Sequence, residues 1–216
     1  MKSCVRKGEP FRGIKVKICG ITNLPDALAA QELGADALGF VFYAKSPRRI
    51  DPHAAGEIIS RLNKKIKKIG VFVNPKAGRV LSLASRCKLD MLQFHGDESP
   101  GFCERFKGYK VIKAFRVRGG DNLENVCLYK TDYYMFDGFK EGFYGGTGDR
   151  FEWSMLRGLR VYRPFFLCGG LNAGNVVCAI KAARPQWVDA SSGVESRPGK
   201  KDLRMLEEFI RKVKSI

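Results

Sequence analysis

The sequence predicts an α/β protein with a single-domain (β/α)8 TIM barrel, and three observations support this fold. Eight short strand-like runs alternate with eight helix-like runs from residue 14 onward. Several of the strand-like runs are apolar on both faces, as in a parallel sheet that is covered on both sides. The chain has 216 residues without a linker or low-complexity tract, which suits one buried core rather than two.

An open, doubly wound sheet is the alternative that the same alternation allows. That fold would favour a GxGxxG turn after the first strand, and none occurs there. A unit of roughly 25 residues is compact but allowed for a barrel. We therefore expect a barrel over residues 14–216, preceded by a polar N-terminal extension at 1–13.

The strands are predicted where short runs are rich in Val, Ile, Phe and Tyr. These runs are 14–19, 36–42, 68–73, 89–94, 110–115, 132–137, 163–168 and 186–190. Helices are predicted at 24–33, 51–63, 75–87, 98–107, 121–130, 152–158, 174–184 and 201–214, of which the fifth and sixth are the least regular. Pro25 and Pro75 suit the first turns of their helices, and Asn172 or Asn175 can cap the seventh helix.

Composition excludes several classes of protein. The chain is 44% apolar and 28% charged, which is typical of a globular protein and not of a disordered one. No secretory signal precedes the first strand, and no run approaches ~18 apolar residues, so we expect a cytoplasmic chain without membrane contact. Seven widely spaced cysteines, two distant histidines and no CxxC pair argue against disulfides and against a metal site.

The net charge of +17 leaves two interpretations, a nucleic-acid partner or attraction of anionic metabolites. The densest basic cluster, at residues 61–68, precedes the third strand, which is the stability end of a barrel rather than the catalytic end. RGG tracts, recognition helices and RNP-like aromatic motifs are absent from the sequence. We therefore expect a small anionic substrate and no nucleic acid.

The ends of the last two strands predict a phosphate site. Barrel enzymes bind substrate at the C-terminal ends of their strands, and phosphate often lies after strands seven and eight. Gly169 and Gly170 follow the seventh strand, whereas Ser191, Ser192 and Gly193 follow the eighth. Glycine allows backbone N–H groups to approach an anion. Either segment alone could be a tight turn, but the pair at adjacent strand ends favours phosphate binding.

Two reactive side chains end strands on opposite sides of the predicted barrel. Strand alternation places Lys15, Lys17 and Cys19 on one face, so that Cys19 points into the barrel mouth. Lys17 beside it would favour the thiolate, which is the reactive form. Asp137 ends the sixth strand, from where a carboxyl group can serve the other face of a substrate. The alternative for Cys19 is an inert buried thiol, and the other six cysteines are interpreted as structural.

Three further side chains and one loop are candidate substrate contacts. Arg48, after the second strand, can hold a carboxylate with its fork of donors, unless it is a solvated surface arginine. Asp189 ends the eighth strand, where it contacts substrate or orients the phosphate loop. His95 ends the fourth strand, where it contacts substrate or lies in an ordinary turn. The YGGTG segment at 144–148 is predicted to form a rim that touches substrate.

Seven segments match one known family in order and spacing. They are KICGIT (17–22), GADALGFVFYAKSPR (34–48), GVFVN (70–74), LQFHGDE (92–98), GGTG (145–148), CGGLNAGNV (168–176) and VDASSGVESRPGKKD (188–202). Through them the chain resembles the phosphoribosylanthranilate isomerase family of tryptophan biosynthesis. The resemblance implies a cofactor-free Amadori rearrangement that turns phosphoribosylanthranilate, an aminoaldose, into the corresponding 1-deoxyribulose 5-phosphate.

The same resemblance implies a role for each candidate residue. Cys19 would be the general base and Asp137 the general acid, with Arg48 on the anthranilate carboxylate and the GG and SSG segments on the phosphate. Two positions depart from the family pattern. Gly138 follows Asp137 where a hydroxyl residue is frequent, and Asp149 replaces a common lysine after the GGTG segment.

Two rival functions stay open on the residues alone. Another phosphosugar barrel enzyme would need a catalytic lysine pair with a glutamate, as in indole-glycerol-phosphate synthase, or metal-binding strand ends, as in some epimerases. The pairing of Cys19 with Asp137 fits neither of these enzymes. The second rival is a nucleic-acid-binding barrel without activity. We expect phosphoribosylanthranilate as the small-molecule partner of a monomer or homodimer.

Overall fold

A closed parallel barrel is the central feature of the protein. The computed structural model describes residues 13–117, 123–138, 152–153, 155–158 and 163–216. Eight parallel strands follow one another around the barrel in chain order, and the last strand pairs with the first. The predicted TIM barrel is confirmed. The alternative of an open sheet is wrong. An open sheet ends in two edge strands that are paired on one side only, whereas here every strand has a neighbour on both sides.

Each predicted strand overlaps an observed one, and all ends agree within two residues. The strands are β1 (Lys15–Cys19), β2 (Ala37–Val41), β3 (Lys67–Phe72), β4 (Met91–Phe94), β5 (Lys110–Val117), β6 (Tyr133–Gly138), β7 (Phe165–Leu167) and β8 (Trp187–Ala190). The agreement follows from burial. Most of their residues are inaccessible on both faces, so that the apolar runs coincide with the strands.

Helices connect the strands on the outside of the barrel. They are α1 (Leu24–Glu32), α2 (Pro52–Ser60), α3 (Ala77–Arg86), α4 (Pro100–Cys103), α5 (Met155–Gly158), α6 (Val176–Ala183) and α7 (Leu203–Lys214). The helix predicted at 121–130 is a short 3-10 helix at Glu124–Leu128, and the one predicted at 98–107 is a single turn. No helix in the described ranges is long and apolar enough to cross a bilayer.

The capping predictions are right for α1 and partly wrong elsewhere. Asn23 accepts the backbone N–H of Asp26 at 2.9 Å, and Pro25 lies in the first turn of α1. Pro75 instead precedes the N-cap of α3, outside the helix. Asn175 stands at the N-cap of α6, but its side chain turns back to the loop that follows β7 rather than capping the helix.

Strand alternation divides the core into two layers. Val16 and Ile18 of β1 pack outward against the helices, whereas Lys17 between them points into the barrel. The barrel interior is filled by side chains such as Ile69, Met135 and Phe166. It is therefore a packed core beneath the barrel mouth, as in other TIM barrels.

A repeated contact closes the N-terminal end of the barrel. The residue before each even-numbered strand accepts the backbone N–H of a residue in the preceding odd-numbered strand. The four contacts are Val16 N to Asp36 (2.7 Å), Lys68 N to Asp90 (2.8 Å), Val111 N to Asp132 (2.9 Å) and Phe165 N to Gln186 (2.9 Å). Each one satisfies a backbone donor that lies at the start of a strand. The basic residues Lys67 and Lys68 begin β3 at this same end, remote from the barrel mouth.

A two-stranded hairpin after β8 was not predicted. A 3-10 turn at Ser192–Val194 leads into β9 (Glu195–Arg197), which pairs antiparallel with β10 (Lys200–Lys201). The hairpin precedes α7, whose start at Leu203 is two residues later than predicted. It carries Glu195 and Lys201 back toward the end of β1, where both side chains are buried.

Candidate active site

One pocket at the C-terminal end of the barrel gathers the ten single residues that the sequence nominated for the site. Seven of the eight strands contribute to its lining, either directly or through the loop that follows. The ten nominated residues in it are Cys19, Arg48, His95, Asp137, Gly169, Gly170, Asp189, Ser191, Ser192 and Gly193. Their individual roles stay predictions. The rim segment 144–148 and Asp149 lie outside the described residues.

Cys19 lies at the end of β1 with its sulfur toward the mouth, next to Val41, Val71 and Tyr43. Glycine at position 39 of the neighbouring strand makes this possible. A methyl group there would lie only 2.8 Å from the Cys19 sulfur. Gly20, which follows with φ at +78°, allows the chain to turn sharply away from the strand.

An ion pair lies directly beneath Cys19. The Lys17 ammonium nitrogen is 2.9 Å from Oδ2 of Asp189, and Lys17 is completely buried. Although burial lowers the pKa of Lys17, the Asp189 carboxylate raises it above its ordinary value. Burial also raises the pKa of Asp189, and Lys17 only partly opposes this. The other carboxylate oxygen, Oδ1, has no hydrogen-bond partner among the described residues.

The surroundings of Cys19 act on the pKa of its thiol in both directions. Burial raises the pKa of the Cys19 thiol. Lys17 and Lys201 lower that pKa, in the predicted direction, but Asp189 raises it again. Lys17 thus acts on the thiol in the expected direction, but a lysine paired with a carboxylate offsets only part of the loss of hydration around a thiolate.

Asp137 is held by a histidine that is itself held by a glutamine. His95 Nε2 lies 3.1 Å from Oδ2 of Asp137, and His95 Nδ1 lies 2.8 Å from the Gln93 amide nitrogen. Because an amide nitrogen can only donate, Nδ1 accepts and the proton of a neutral His95 is on Nε2, facing Asp137. The alternative of an ordinary turn histidine is wrong, since His95 is buried and bonded to the predicted acid.

The turn that carries His95 is fixed by a buried glutamate. Glu98 accepts the backbone N–H groups of Asn74 and Gly96 at 2.8 and 3.0 Å. Lys113, from β5, reaches both Glu98 (2.7 Å) and the carbonyl of Gly96 (2.6 Å). Both charged side chains are almost inaccessible to solvent, so they stabilise the turn through a fully paired buried network.

Arg48 faces the pocket with part of its guanidinium already in use. Its Nε and one terminal nitrogen hold Glu195 in a bidentate pair at 2.8–3.0 Å, and its side chain is only 11% exposed. The alternative of a solvated surface arginine is therefore wrong. Lys201 binds the same glutamate at 2.8 Å and donates to the carbonyl of Cys19 at 2.6 Å. Burial lowers the pKa of Lys201 against the opposing effect of Glu195.

The two predicted phosphate segments meet at the other side of the pocket. Gly169 and Gly170 have φ of +90° and +65°, which residues with a Cβ rarely adopt. Gly193 packs so tightly on Leu171 that a Cβ would overlap the carbonyl oxygen of Leu171. The 3-10 turn that starts at Ser192 leaves its first N–H groups without intrahelical partners. Backbone donors of both loops can thus converge on one anion.

Sequence reasoning missed four functional neighbours. Gln93, Glu195 and Lys201 were quoted inside the matching segments, yet nothing in their spacing revealed contacts with distant strands. Cys168 was interpreted as structural with the other cysteines, but it lines the pocket. Burial and the nearby Asp137 raise the pKa of its thiol well above the ordinary value. Its place at the end of β7 was the available signal.

The described part of the chain contains no group of three or more His, Cys, Asp or Glu side chains placed to hold a metal ion. A thiol and a carboxyl group face a shared space, cationic Arg48 lies at its edge, and glycine loops lie opposite. This set suits proton transfer on an anionic, carboxylate- or phosphate-bearing molecule.

Comparison with known proteins gives one consistent result. A family model described as N-(5'phosphoribosyl)anthranilate (PRA) isomerase matches residues 16–212. The chain is 45% identical to N-(5'-phosphoribosyl)anthranilate isomerase of Geobacter sulfurreducens over 93% of this chain and 98% of that protein. The crystal structure of phosphoribosyl anthranilate isomerase from Thermotoga maritima superposes with a TM-score of 0.88 at 41% identity, covering 94% of this chain and 100% of the other. A crystal structure of such an isomerase with reduced 1-(o-carboxyphenylamino)-1-deoxyribulose 5-phosphate has a TM-score of 0.86 at 40% identity, with the same coverage.

Proposed function

The chain belongs to the N-(5'-phosphoribosyl)anthranilate isomerase family, and we propose that Cys19 and Asp137 perform the reaction of that family in the pocket at the barrel mouth. The reaction is the isomerisation of N-(5-phosphoribosyl)anthranilate in tryptophan biosynthesis. One observation carries the assignment of residues: a thiol from β1 and a carboxyl group from β6 line a single pocket that also contains two glycine loops.

Binding would hold the substrate at its two charged ends. The phosphate suits the backbone donors around Gly169, Gly170 and Gly193, which line the pocket. The anthranilate carboxylate suits Arg48, whose guanidinium is oriented by Glu195. Fixing both ends confines the ribose between Cys19 and Asp137, and such positioning supplies a large part of the rate enhancement in many enzymes.

Ring opening is the first chemical step. Asp137 gives a proton to the furanose ring oxygen, the C1′–O4′ bond breaks, and the nitrogen lone pair forms a protonated Schiff base. The carboxylate left on Asp137 accepts the Nε2–H of His95, which lies 3.1 Å away. Such a hydrogen bond to the ionised form stabilises the charge that develops during proton transfer.

Proton abstraction is the second step. Cys19, as the thiolate, takes the proton from C2′ of the Schiff base and leaves a neutral enolamine. The enolamine becomes the aminoketose when C1′ gains a proton and the C2′ hydroxyl loses one. Cys19 suits this step because it stands on the opposite side of the barrel from the group that opens the ring.

The test is the isomerase assay on purified variants, followed as loss of the anthranilate-type fluorescence of the substrate. Cys19→Ala and Asp137→Asn should each lower kcat by on the order of 10²–10⁴-fold. His53→Ala is the matched control, because His53 is an exposed histidine on α2 far from the pocket. Full activity in both Cys19→Ala and Asp137→Asn would show that other groups carry the chemistry.

We also propose that the protein works in the cytoplasm as a monomer or homodimer without a nucleic-acid or membrane partner. The position of the basic residues supports this, since Lys67 and Lys68 stand at the N-terminal end of the barrel and Lys68 is paired with Asp90 at 2.9 Å. Filter binding with a salt titration tests it. Steep, salt-sensitive binding of DNA or RNA would favour the rival function.

A further inference from the structure

A buried cluster beneath the reacting sulfur joins Cys19, Lys17 and Asp189. Cys19 and Lys17 are two residues apart on β1 and share the inward face, whereas Asp189 pairs with Lys17 across β8. A methyl group on Gly39 would touch both the Cys19 sulfur (2.8 Å) and Cε of Lys17 (3.1 Å), so the two side chains lie beside the same point of β2. The Lys17 ammonium is thus placed between a thiol and a carboxylate.

The charge balance of this cluster limits how a thiolate can form. Lys17 is completely buried and Asp189 is 7% exposed, and together they are neutral. Release of the Cys19 proton to solvent would leave two anions beside one cation in a closed site. An unbalanced buried charge is costly. Transfer of that proton within the cluster leaves its net charge unchanged.

Asp189 is placed to receive such a proton from Lys17. Its Oδ2 is bound to Lys17, but its Oδ1 is buried and has no donor among the described residues. Buried carboxylate oxygens are normally hydrogen-bonded, so an orphan oxygen calls for an explanation. Protonation on Oδ2, which already accepts from Lys17, would leave Oδ1 as an uncharged oxygen, and an uncharged oxygen costs less to bury without a donor than a carboxylate oxygen does. Burial also raises the pKa of Asp189 toward that form.

We propose that Asp189 takes up the thiol proton of Cys19 through the ammonium group of Lys17. One negative charge thereby moves from the Asp189 carboxylate to the Cys19 sulfur. Lys17 passes an N–H proton to Asp189 and receives the S–H proton, so it stays an ammonium group. The products are a thiolate and a neutral carboxylic acid. This proposal rests on the proposed role of Cys19 as base and makes Lys17 and Asp189 positioning residues.

The exchange also closes the proton balance of the reaction. One turnover moves a proton from Asp137 to the ring oxygen and another from C2′ to the Cys19 sulfur. The enzyme then holds an ionised Asp137 and a neutral Asp189. Exchange of one proton between these two carboxyl groups through water restores the starting state.

The other ionisable groups around Cys19 do not replace this route. Lys201, from β10, is held by Glu195 and the Cys19 carbonyl. Cys168, from β7, directs its thiol to the carbonyl of Phe136 at 3.2 Å. Asp137 is bound to His95, and the adjoining surface of β2 and β3 is apolar. Among these groups in the described structure, Lys17 is the one bound to a carboxylate that keeps an unsatisfied oxygen.

The pH dependence of Cys19 alkylation tests the proposal directly. Iodoacetamide modification is quantified for the Cys19 peptide by mass spectrometry between pH 6 and 8, with exposed Cys178 as an internal control. A thiol that loses its proton to solvent reacts about tenfold faster per pH unit below its pKa. Internal exchange makes the thiolate fraction independent of pH, so Cys19 should change less than about twofold while Cys178 follows pH.

Two variants make the result decisive. In Asp189→Asn the internal acceptor is lost and the Cys19 proton leaves to solvent. Alkylation should then become about tenfold faster per pH unit below the pKa of the thiol, which the unpaired Lys17 lowers, and kcat/KM should acquire the same pH dependence. Lys17→Met/Asp189→Asn removes both buried charges together and should also show the steep slope, which covers the case that the single variant does not fold. A steep slope in the wild type, or a flat one in the double variant, would overturn the proposal.

The test is independent of the proposed function. Alkylation reports the protonation of Cys19 whether or not that residue acts on the substrate. If Cys19→Ala keeps full activity while Cys19 alkylation is flat with pH, the proposed function fails and the proton exchange stands. If Cys19→Ala is inactive and the slope is steep, the opposite holds.

Discussion

Replacing Gly193 by alanine should displace the loop after β8 and weaken phosphate binding. Gly193 lies against the backbone of Leu171, in the loop after β7. A Cβ at position 193 would overlap the Leu171 oxygen and approach its carbonyl carbon to 2.9 Å. Both contacts are with backbone, so no side-chain rotation relieves them.

The size of the effect follows from the distance between the loops. Carbon atoms in contact lie about 3.5–4.0 Å apart, and the overlap with the Leu171 oxygen is tighter than the contact with its carbonyl carbon, so the two loops must separate by about 1 Å or more. A misplacement of about 1 Å can cost on the order of 100-fold in rate. Since the displaced donors face the phosphate rather than the reacting carbons, the loss should appear mainly as a higher KM.

The assay compares kcat, KM and inhibition by inorganic phosphate in Gly193→Ala and in a control, Gly56→Ala. A Cβ on Gly56, within α2, meets nothing within 4 Å. That control should gain about 0.5–1 kcal/mol of stability and keep wild-type kinetics. An unchanged KM and an unchanged phosphate inhibition constant in Gly193→Ala would refute the argument that this contact shapes the phosphate site.

Three further predictions concern stability, measured as the free energy of unfolding in urea. Asp36→Ala removes the acceptor of the Val16 N–H and should cost about 1–3 kcal/mol without changing kcat. Asp36→Asn keeps an oxygen acceptor and should cost less. Equal losses in the two variants would argue against the backbone contact. Glu98→Ala leaves Lys113 buried without its partner and should cost about 3–5 kcal/mol, in contrast to Glu208→Ala on the exposed face of α7, which should be neutral. Burial raises the pKa of Asp26, but hydrogen bonds from Lys200 and the Lys201 N–H outweigh it and lower the pKa overall. The stabilisation by Asp26 is then present above pH about 4 and lost as the pH falls through the lowered pKa. The free energies of unfolding of wild type and Asp26→Asn should therefore differ at pH 7 and converge in acid. A difference that is constant with pH would contradict this.

The candidate site illustrates how far local sequence patterns extend. Cys19 and Asp137 could be assigned to the barrel mouth because strand alternation and strand order depend only on neighbouring residues. The bidentate pair of Arg48 with Glu195 could not be predicted. Its members are 147 positions apart. Their contact depends on the hairpin after β8, and although Pro198 and Gly199 signal a turn there, the sequence does not indicate that the hairpin packs against the loop after β2.

The charges around Cys19 were likewise only partly predictable from the sequence. The sequence indicated that Lys17 would stand beside Cys19, and it does. It did not indicate the sign of the net effect, because Asp189 approaches from the other end of the chain and burial dominates the pKa of the thiol. Likewise, His95 was an ambiguous strand-end histidine until its contacts with Gln93 and Asp137 fixed its tautomer.

By itself the sequence determined the barrel, the order of its strands and the family, because hydrophobic periodicity and short motifs are local properties of the chain. Only the tertiary structure decided which charges neutralise one another around the pocket, which polar atoms stay unsatisfied and which glycine is sterically required. These properties depend on distances between residues far apart in the chain and on the exclusion of water from the barrel, neither of which is encoded in any short segment.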